Sequence, residues 1–199
     1  MLTAVPVHAE VRLAVEQLLR ALRVSVESDP ELRETPERVA RMFTDELLDG
    51  YQKDPAKILA ESGHTESNGI VLLTDLRFTL MCPHHLLPAV ARAHVGYIPS
   101  GKITGLGAIL KLIECFAHRL VLQETLAQQI VDALCTHLGA RGAGVIIRAQ
   151  HACLSARGEN QRDASLVTTA FAGSMQTAHS EARAMFYRSI SGTPSIAEP

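Results

Sequence analysis

Apolar positions recur at three- and four-residue steps over residues 8–22, where Val11, Val15, Leu18, Leu19 and Leu22 share one face. That spacing predicts an amphipathic helix, and Asp29-Pro30 breaks it. A second helix is expected from Thr35-Pro36, with Thr35 as N-cap, Pro36 at the first helical position and acidic residues in the first turn. Its apolar face is Val39, Met42, Phe43, Leu47 and Leu48, and Gly50 is expected to end it. Residues 51–69 are polar and weakly patterned, with room for a short helix near 55–61. Strands are expected at 70–80 and 89–98. In the second, Ala91, Ala93, Val95 and Tyr97 alternate with Arg92 and His94. Pro99-Ser100-Gly101 reads as a turn. Helical spacing returns over 106–119 (Ile109, Leu112, Ile113, Phe116) and over 123–138 (Leu126, Ile130, Ala133, Leu134). Residues 142–153 and 165–172 read as strands, and 181–190 as a last short helix. The order predicts an α+β chain with a mostly antiparallel sheet. It divides into an N-terminal helical segment (1–50), a connection (51–69), a main domain (70–190) and a tail (191–199).

The 199 residues are enough for one domain with a sizeable core. With 19 basic and 21 acidic residues the net charge is −2, so no strong field points to nucleic acid or an anionic membrane. No apolar run is long enough to span a bilayer, and the N-terminus lacks the form of a secretory signal. A cytoplasmic location is the expectation. Four cysteines, widely spaced, do not form a disulfide framework.

Candidate chemistry gathers at two places. Cys82-Pro83-His84-His85 lies between two strands, and its C-x-x-H spacing lets a tight turn aim Cys82 and His85 at one ion. Zinc accepts thiolate and imidazole, and three protein ligands leave a fourth position for water. His151-Ala152-Cys153 closes the expected third strand. There, 151 and 153 would share a face, one binding metal while the other works beside it. The alternative for the first motif is a turn with a buried cysteine and a surface histidine. Cys115 and Cys135 sit in helical patterns and read as packing thiols. His118 and His137 read as surface or interface residues, and Arg141 and Arg148 as solvated. His94 is either a satisfied strand histidine or a pocket residue.

Several motifs together resemble the GTP cyclohydrolase I family. They are Cys82-Pro83-His84-His85-Leu86-Leu87-Pro88 with His94-Val95-Gly96-Tyr97-Ile98-Pro99; Gln123-Glu124-Thr125-Leu126 with Gln128-Gln129-Ile130; and His151-Ala152-Cys153 with Ala156-Arg157-Gly158. Glu34-Thr35-Pro36-Glu37-Arg38-Val39-Ala40 resembles the family's N-terminal helix motif. The resemblance runs in order from Glu34 to Ile190. It implies the T-fold (tunnelling fold), with antiparallel strands and paired helices, in rings that pair into a homodecamer with active sites between subunits. It also implies Zn2+ on Cys82, His85 and Cys153, catalytic histidines at His84 and His151, and a guanine-binding carboxylate at Glu124 with Gln123 beside it. The implied reaction is hydrolytic opening of a guanine-type ring at C8 with formate release, taking GTP to dihydroneopterin triphosphate.

The chain departs from the family pattern in four places. Pro83 replaces a Glu, Leu80 a Ser, Gly107-Ala108 a Ser-Lys pair, and Lys111 an Arg. The family's triphosphate contacts therefore reduce here to Arg38, Arg157 and Lys111. Two alternatives follow: a paralogous zinc hydrolase acting on a less phosphorylated purine-like substrate, or a catalytically silent binding homologue. Nitrile-reductase relatives of the same fold use a catalytic cysteine and NADPH, which a metal triad does not match.

Overall fold

The computed structural model describes residues 8–157 and 160–191. Residues 1–7 of the expected N-terminal segment, Gly158 of the Ala-Arg-Gly motif and 192–199 of the expected tail lie outside the described residues.

The first helix, α1 (His8–Ala21), follows the apolar spacing and packs against α2 (Thr35–Arg41). Thr35 is the first helical residue of α2 and not its cap; Glu34 holds the cap position without a side-chain bond. The reason is the approach. A 3-10 turn, Pro30–Leu32, leads in through Arg33 and Glu34, both with helical dihedrals, so the chain never takes the extended conformation a capping side chain needs. Nor does the helix stop at Gly50. It runs on as a π-helical segment, Met42–Leu47, closed by the Leu48 N–H donating to Phe43 O, and then a 3-10 turn, Asp49–Gln52.

The remaining elements are α3 (Pro55–Ala60), β1 (Ser62–His64), β2 (Val71–Met81), β3 (Pro88–Ile98), β4 (Lys102–Thr104), α4 (Leu106–Ala117), α5 (Gln123–Thr136), β5 (Gly142–His151), α6 (Ala152–Ser155), β6 (Leu166–Gly173) and α7 (Glu181–Ser191). β1 and β4 form a small separate ribbon, which sequence periodicity misses because three residues are too few to show a period. β2-β3-β5-β6 form one antiparallel sheet. Strand pair, helix pair, strand pair is the α+β, T-fold order that the resemblance implies.

The sheet carries a core on each face. On one, Ala91, Ala93, Val95, Val145 and Ile147 meet Ile109, Leu112 and Ile113 of α4 and Leu126, Ile130 and Leu134 of α5. On the other, Phe186 of α7 packs with Phe171 and Met175 against Ile70, Leu72, Ile98 and Ile146. Gly96 makes that seat possible, since a Cβ there would lie 2.7 Å from the Phe186 ring.

Two irregularities hold charge. β2 bulges between Leu73 and Leu76, with Asp75 at φ 58°. The Asp75 N–H donates to Nδ1 of His94 at 3.3 Å, and its carboxylate receives Arg92 at 2.8 and 2.9 Å. His94 is therefore a satisfied strand histidine; burial holds its pKa below the ordinary value, against the opposing charge of Asp75. The second lies where Asp49–Gln52 docks on the end of α4. The Gly50 N–H donates to His118 O at 3.1 Å, and Arg119 Nε donates back to Gly50 O at 3.0 Å. Asp49 takes the His118 ring at 2.7 Å and the Lys53 ammonium at 2.8 Å. Burial opposes its charge, but these bonds outweigh burial and hold the carboxyl below the usual range.

A Cβ on Gly50 would stand 2.6 Å from two carbonyl oxygens, those of Cys115 and His118. Backbone cannot give way as a side chain can. Gly50→Ala is expected to destabilise the protein by about 1–3 kcal/mol, read as a lower urea midpoint with an unchanged slope.

Candidate metal centre

Two turns make the site. The first follows β2. The Cys82 N–H donates to Leu87 O at 2.9 Å and the Leu86 N–H to Cys82 O at 3.0 Å, while Leu86 adopts φ 54°. This loop folds His85 back so that its Nδ1 lies 3.7 Å from the Cys82 Sγ. The second follows β5. The strand ends at His151 and not at Cys153, because its partner position beyond Ala89 is Pro88, which has no N–H to extend the ladder. The chain turns instead into α6, closed by Ala156 N–H donating to Ala152 O and by Ser155 Oγ donating to His151 O. Cys153 and His151 therefore do not share a strand face. The helical turn carries Cys153 to Cys82 and His85 all the same.

Donor atoms of Cys82, His85 and Cys153 lie within 4.8 Å of one another. A tetrahedral zinc site with bonds near 2.0–2.3 Å needs donor spacings of roughly 3.3–3.8 Å, so the three fit one ion with little movement. Two thiols and an imidazole are also the donor types zinc prefers. Cys82 is buried, Cys153 half-buried and His85 exposed, so the group is open on the histidine side. Burial and the adjacent Cys82 push the Cys153 thiol up, with Arg157 acting the other way. A cation between the two sulfurs would remove that conflict.

His151 stands beside this group, held from α5. Gln123 is buried, and its Nε2 donates to Ile147 O, Leu166 O and Thr168 Oγ1, each at 3.1 Å. Its Oε1 is thereby directed at His151 Nε2, 3.0 Å away. With the amide oriented by three acceptors, His151 Nε2 carries a hydrogen and Nδ1 is left to exchange a proton. Burial holds the His151 pKa below its ordinary value, and the charge of Glu124 opposes this.

The other expected residues are at the surface. Glu124 is exposed in the first turn of α5, and His84 is exposed beside His85 with the two rings 6.2 Å apart. Arg157 is exposed just beyond α6. Lys111 is exposed on α4, and Arg38 on α2 is engaged with Glu34 at 2.6 Å. The resemblance implies Gln123 beside the guanine-binding Glu124; its side-chain amide bonds two strands and a histidine. Burial of that amide has no local sign in the sequence beyond a glutamine opening an apolar helix.

A sulfur and imidazole group open on one side, with a held histidine next to it, is a site able to take a metal ion with a titratable group at hand. The GTP cyclohydrolase I family model matches residues 11–191. The chain is 42% identical to GTP cyclohydrolase 1 of Chlorobaculum tepidum over 185 residues, covering 91% of this chain and 82% of that protein. With GTP cyclohydrolase 1 of Campylobacter lari it shares 41% over 163 residues, 80% of this chain and 85% of the relative. Among solved structures it is similar to an apo archaeosine synthase QueF-like protein, with 18% identity, a TM-score of 0.45, and 54% and 97% of the two chains covered. The chain belongs to the GTP cyclohydrolase I family, and its activity is that of a GTP cyclohydrolase I-like hydrolase.

Gln123→Leu would leave the Ile147 and Leu166 carbonyls without their side-chain donor and free the His151 ring. The expected cost is about 1–3 kcal/mol, seen in denaturant unfolding.

Proposed function

We propose that the protein holds one zinc ion per subunit on Cys82, His85 and Cys153 and opens a guanine-type purine ring at C8, releasing formate. On GTP the product would be dihydroneopterin triphosphate. The observation that carries this reading is the meeting of three donor atoms within 4.8 Å beside a histidine whose tautomer is held. When bound there, zinc would supply a water whose pKa is brought close to neutrality.

The chain's own residues have distinct tasks in this reading. His151, once Nδ1 has taken up a proton from solvent, delivers it to N7 of the ring, which makes C8 electrophilic, while Gln123 keeps its Nε2 face occupied. His84, adjacent to the ligand His85, assists proton transfer from the solvent side. Glu124 accepts from N1–H and the exocyclic amine of guanine, a pair that adenine does not present. Arg157, Arg38 and Lys111 meet the phosphates. Exposure of His84, His85 and Glu124 supports a site completed by a neighbouring subunit, as in the homodecamer the resemblance implies. Among the described residues no helix is long and apolar enough to cross a membrane, and we place the enzyme in the cytoplasm.

A second reading concerns phosphate. The first turn of α4 is Leu106, Gly107 and Ala108, without a cation, and its last turn has no basic residue either. Ala108 cannot replace a lysine, and Lys111 lacks an arginine's fork. Two weakened charge-assisted contacts at about 1.5–3 kcal/mol each would loosen a triphosphate by a factor of about 10²–10⁴. A substrate with fewer phosphates fits this better than GTP.

Three measurements test these proposals. Elemental analysis should find one zinc per wild-type subunit and much less in Cys82→Ser or Cys153→Ser; undiminished zinc in either variant refutes the ligand set. His151→Ala should keep its zinc and lose formate release by at least about 10²-fold, whereas wild-type turnover removes His151 from the reaction. In steady state, kcat/KM for GTP should not exceed that for GMP and guanosine by orders of magnitude, and Ala108→Lys should favour GTP selectively. A kcat/KM for GTP far above the others and in the ordinary enzyme range restores GTP as the substrate.

A further inference from the structure

The sheet face away from α4 and α5 is covered at one end by α7, which seats Phe186 on Gly96 and packs near Ile98, Ile146 and Phe171. Toward the other end three arginines stand in one row across adjacent strands. Arg77 is the register partner of Arg92, and Arg92 of Arg148. Strand alternation puts all three on this face, since their neighbours Phe78, Ala91, Ala93, Ile147 and Ala149 belong to the core under the helices. Arg77 and Arg148 are exposed, and Arg92 keeps 16% of its side chain accessible.

Like charges directly opposite one another in a sheet are unfavourable. Among the described residues, the strand positions that flank the row on this face include Thr79, Val90, Gln150, Val167, His94 and Ile146, none of them a carboxylate, and Asp75 at the bulge of β2, which is one. Asp75, at the bulge, gives both its oxygens to Arg92. Arg148 donates to a neutral partner, the Ser165 hydroxyl, at 3.0 Å. The two outer cations of the row, Arg77 and Arg148, face solvent.

We propose that Arg77, Arg92 and Arg148 form a binding site for a compact polyphosphate, separate from the metal centre. The chemistry favours phosphate. All three cations are arginines, whose forks match phosphate oxygens and are rigid enough to act together. Strand spacing sets them about 4.8 Å apart and the row about 10 Å long, which suits a linear, multiply charged chain better than a single carboxylate. Separation from the metal centre follows from register. Arg92 lies three residues along β3 from Ala89, the partner of His151, or about 10 Å, and points to the opposite face. The polyphosphate is either free or the tail of a nucleotide. Val90 and Val167, 64% and 47% exposed beside the row, give a base somewhere to rest.

Titration calorimetry of the zinc-loaded full chain with magnesium-free inorganic triphosphate tests this. Arg77→Gln/Arg148→Gln should lose one bound triphosphate per subunit, or bind it about 10²-fold or more weakly. Equal affinity and stoichiometry in wild type and variant overturns the proposal, as does orthophosphate binding as tightly as triphosphate. ATP binding tighter than triphosphate marks a nucleotide as the ligand, and equal binding marks the free chain. Should the variant fold poorly, phenylglyoxal footprinting of the wild type decides the same question. Triphosphate should protect Arg77 and Arg148 from modification, and no protection at either refutes the site.

Discussion

The antiparallel pairing of β3 with β5 is the constraint on which the rest of the molecule depends. It runs unbroken from Ala89 opposite His151 to Ile98 opposite Gly142. Because β2 pairs with β3 up to Met81 opposite Pro88, the loop after β2 and the turn after β5 must emerge at the same edge. Cys82 and His85 come from one and Cys153 from the other. A slip of one residue would send His151 to the opposite face and separate it from Gln123. Pro88 then sets where the ladder stops and the chain turns. The metal donors are thus assembled by backbone register before any side chain is chosen.

Gln123 joins this framework to the chemistry. A buried amide is costly unless its bonds are made, and here both its nitrogen and its oxygen are used. The same group that ties α5 to β5 and β6 orients His151. Fold stability and the orientation of His151 are coupled through one side chain, while the groups that would face substrate, His84, His85 and Glu124, remain exposed. The opposite sheet face shows a second division, with an aromatic seat for α7 at one end and three arginines towards the other.

Much of this is legible from residue spacing. Helical and alternating patterns locate α1, α4, α5, α7 and the four main strands to within a few residues, and the C-x-x-H spacing picks out Cys82 and His85, while Cys153 rather than His151 as the third donor comes from the family resemblance. What escapes depends on partners distant in sequence. Local pattern puts Cys153 on a strand, because the strand's end is fixed by a proline on another strand. It makes Thr35 a cap, because the preceding turn leaves no periodic trace. Nothing beside Gln123 in the chain announces that its amide faces two strand carbonyls. Arg148 looks like a solvated residue, and its place in a row with Arg77 and Arg92 exists only once three strands are in register.

X-ray absorption at the zinc edge of the zinc-loaded wild-type protein tests the central claim, that register brings two cysteines and one histidine to a single ion with one position left open. The account predicts two sulfur ligands at about 2.3 Å and two nitrogen or oxygen ligands at about 2.0–2.1 Å, one of them water. A shell with no sulfur, one sulfur or four sulfurs would contradict it.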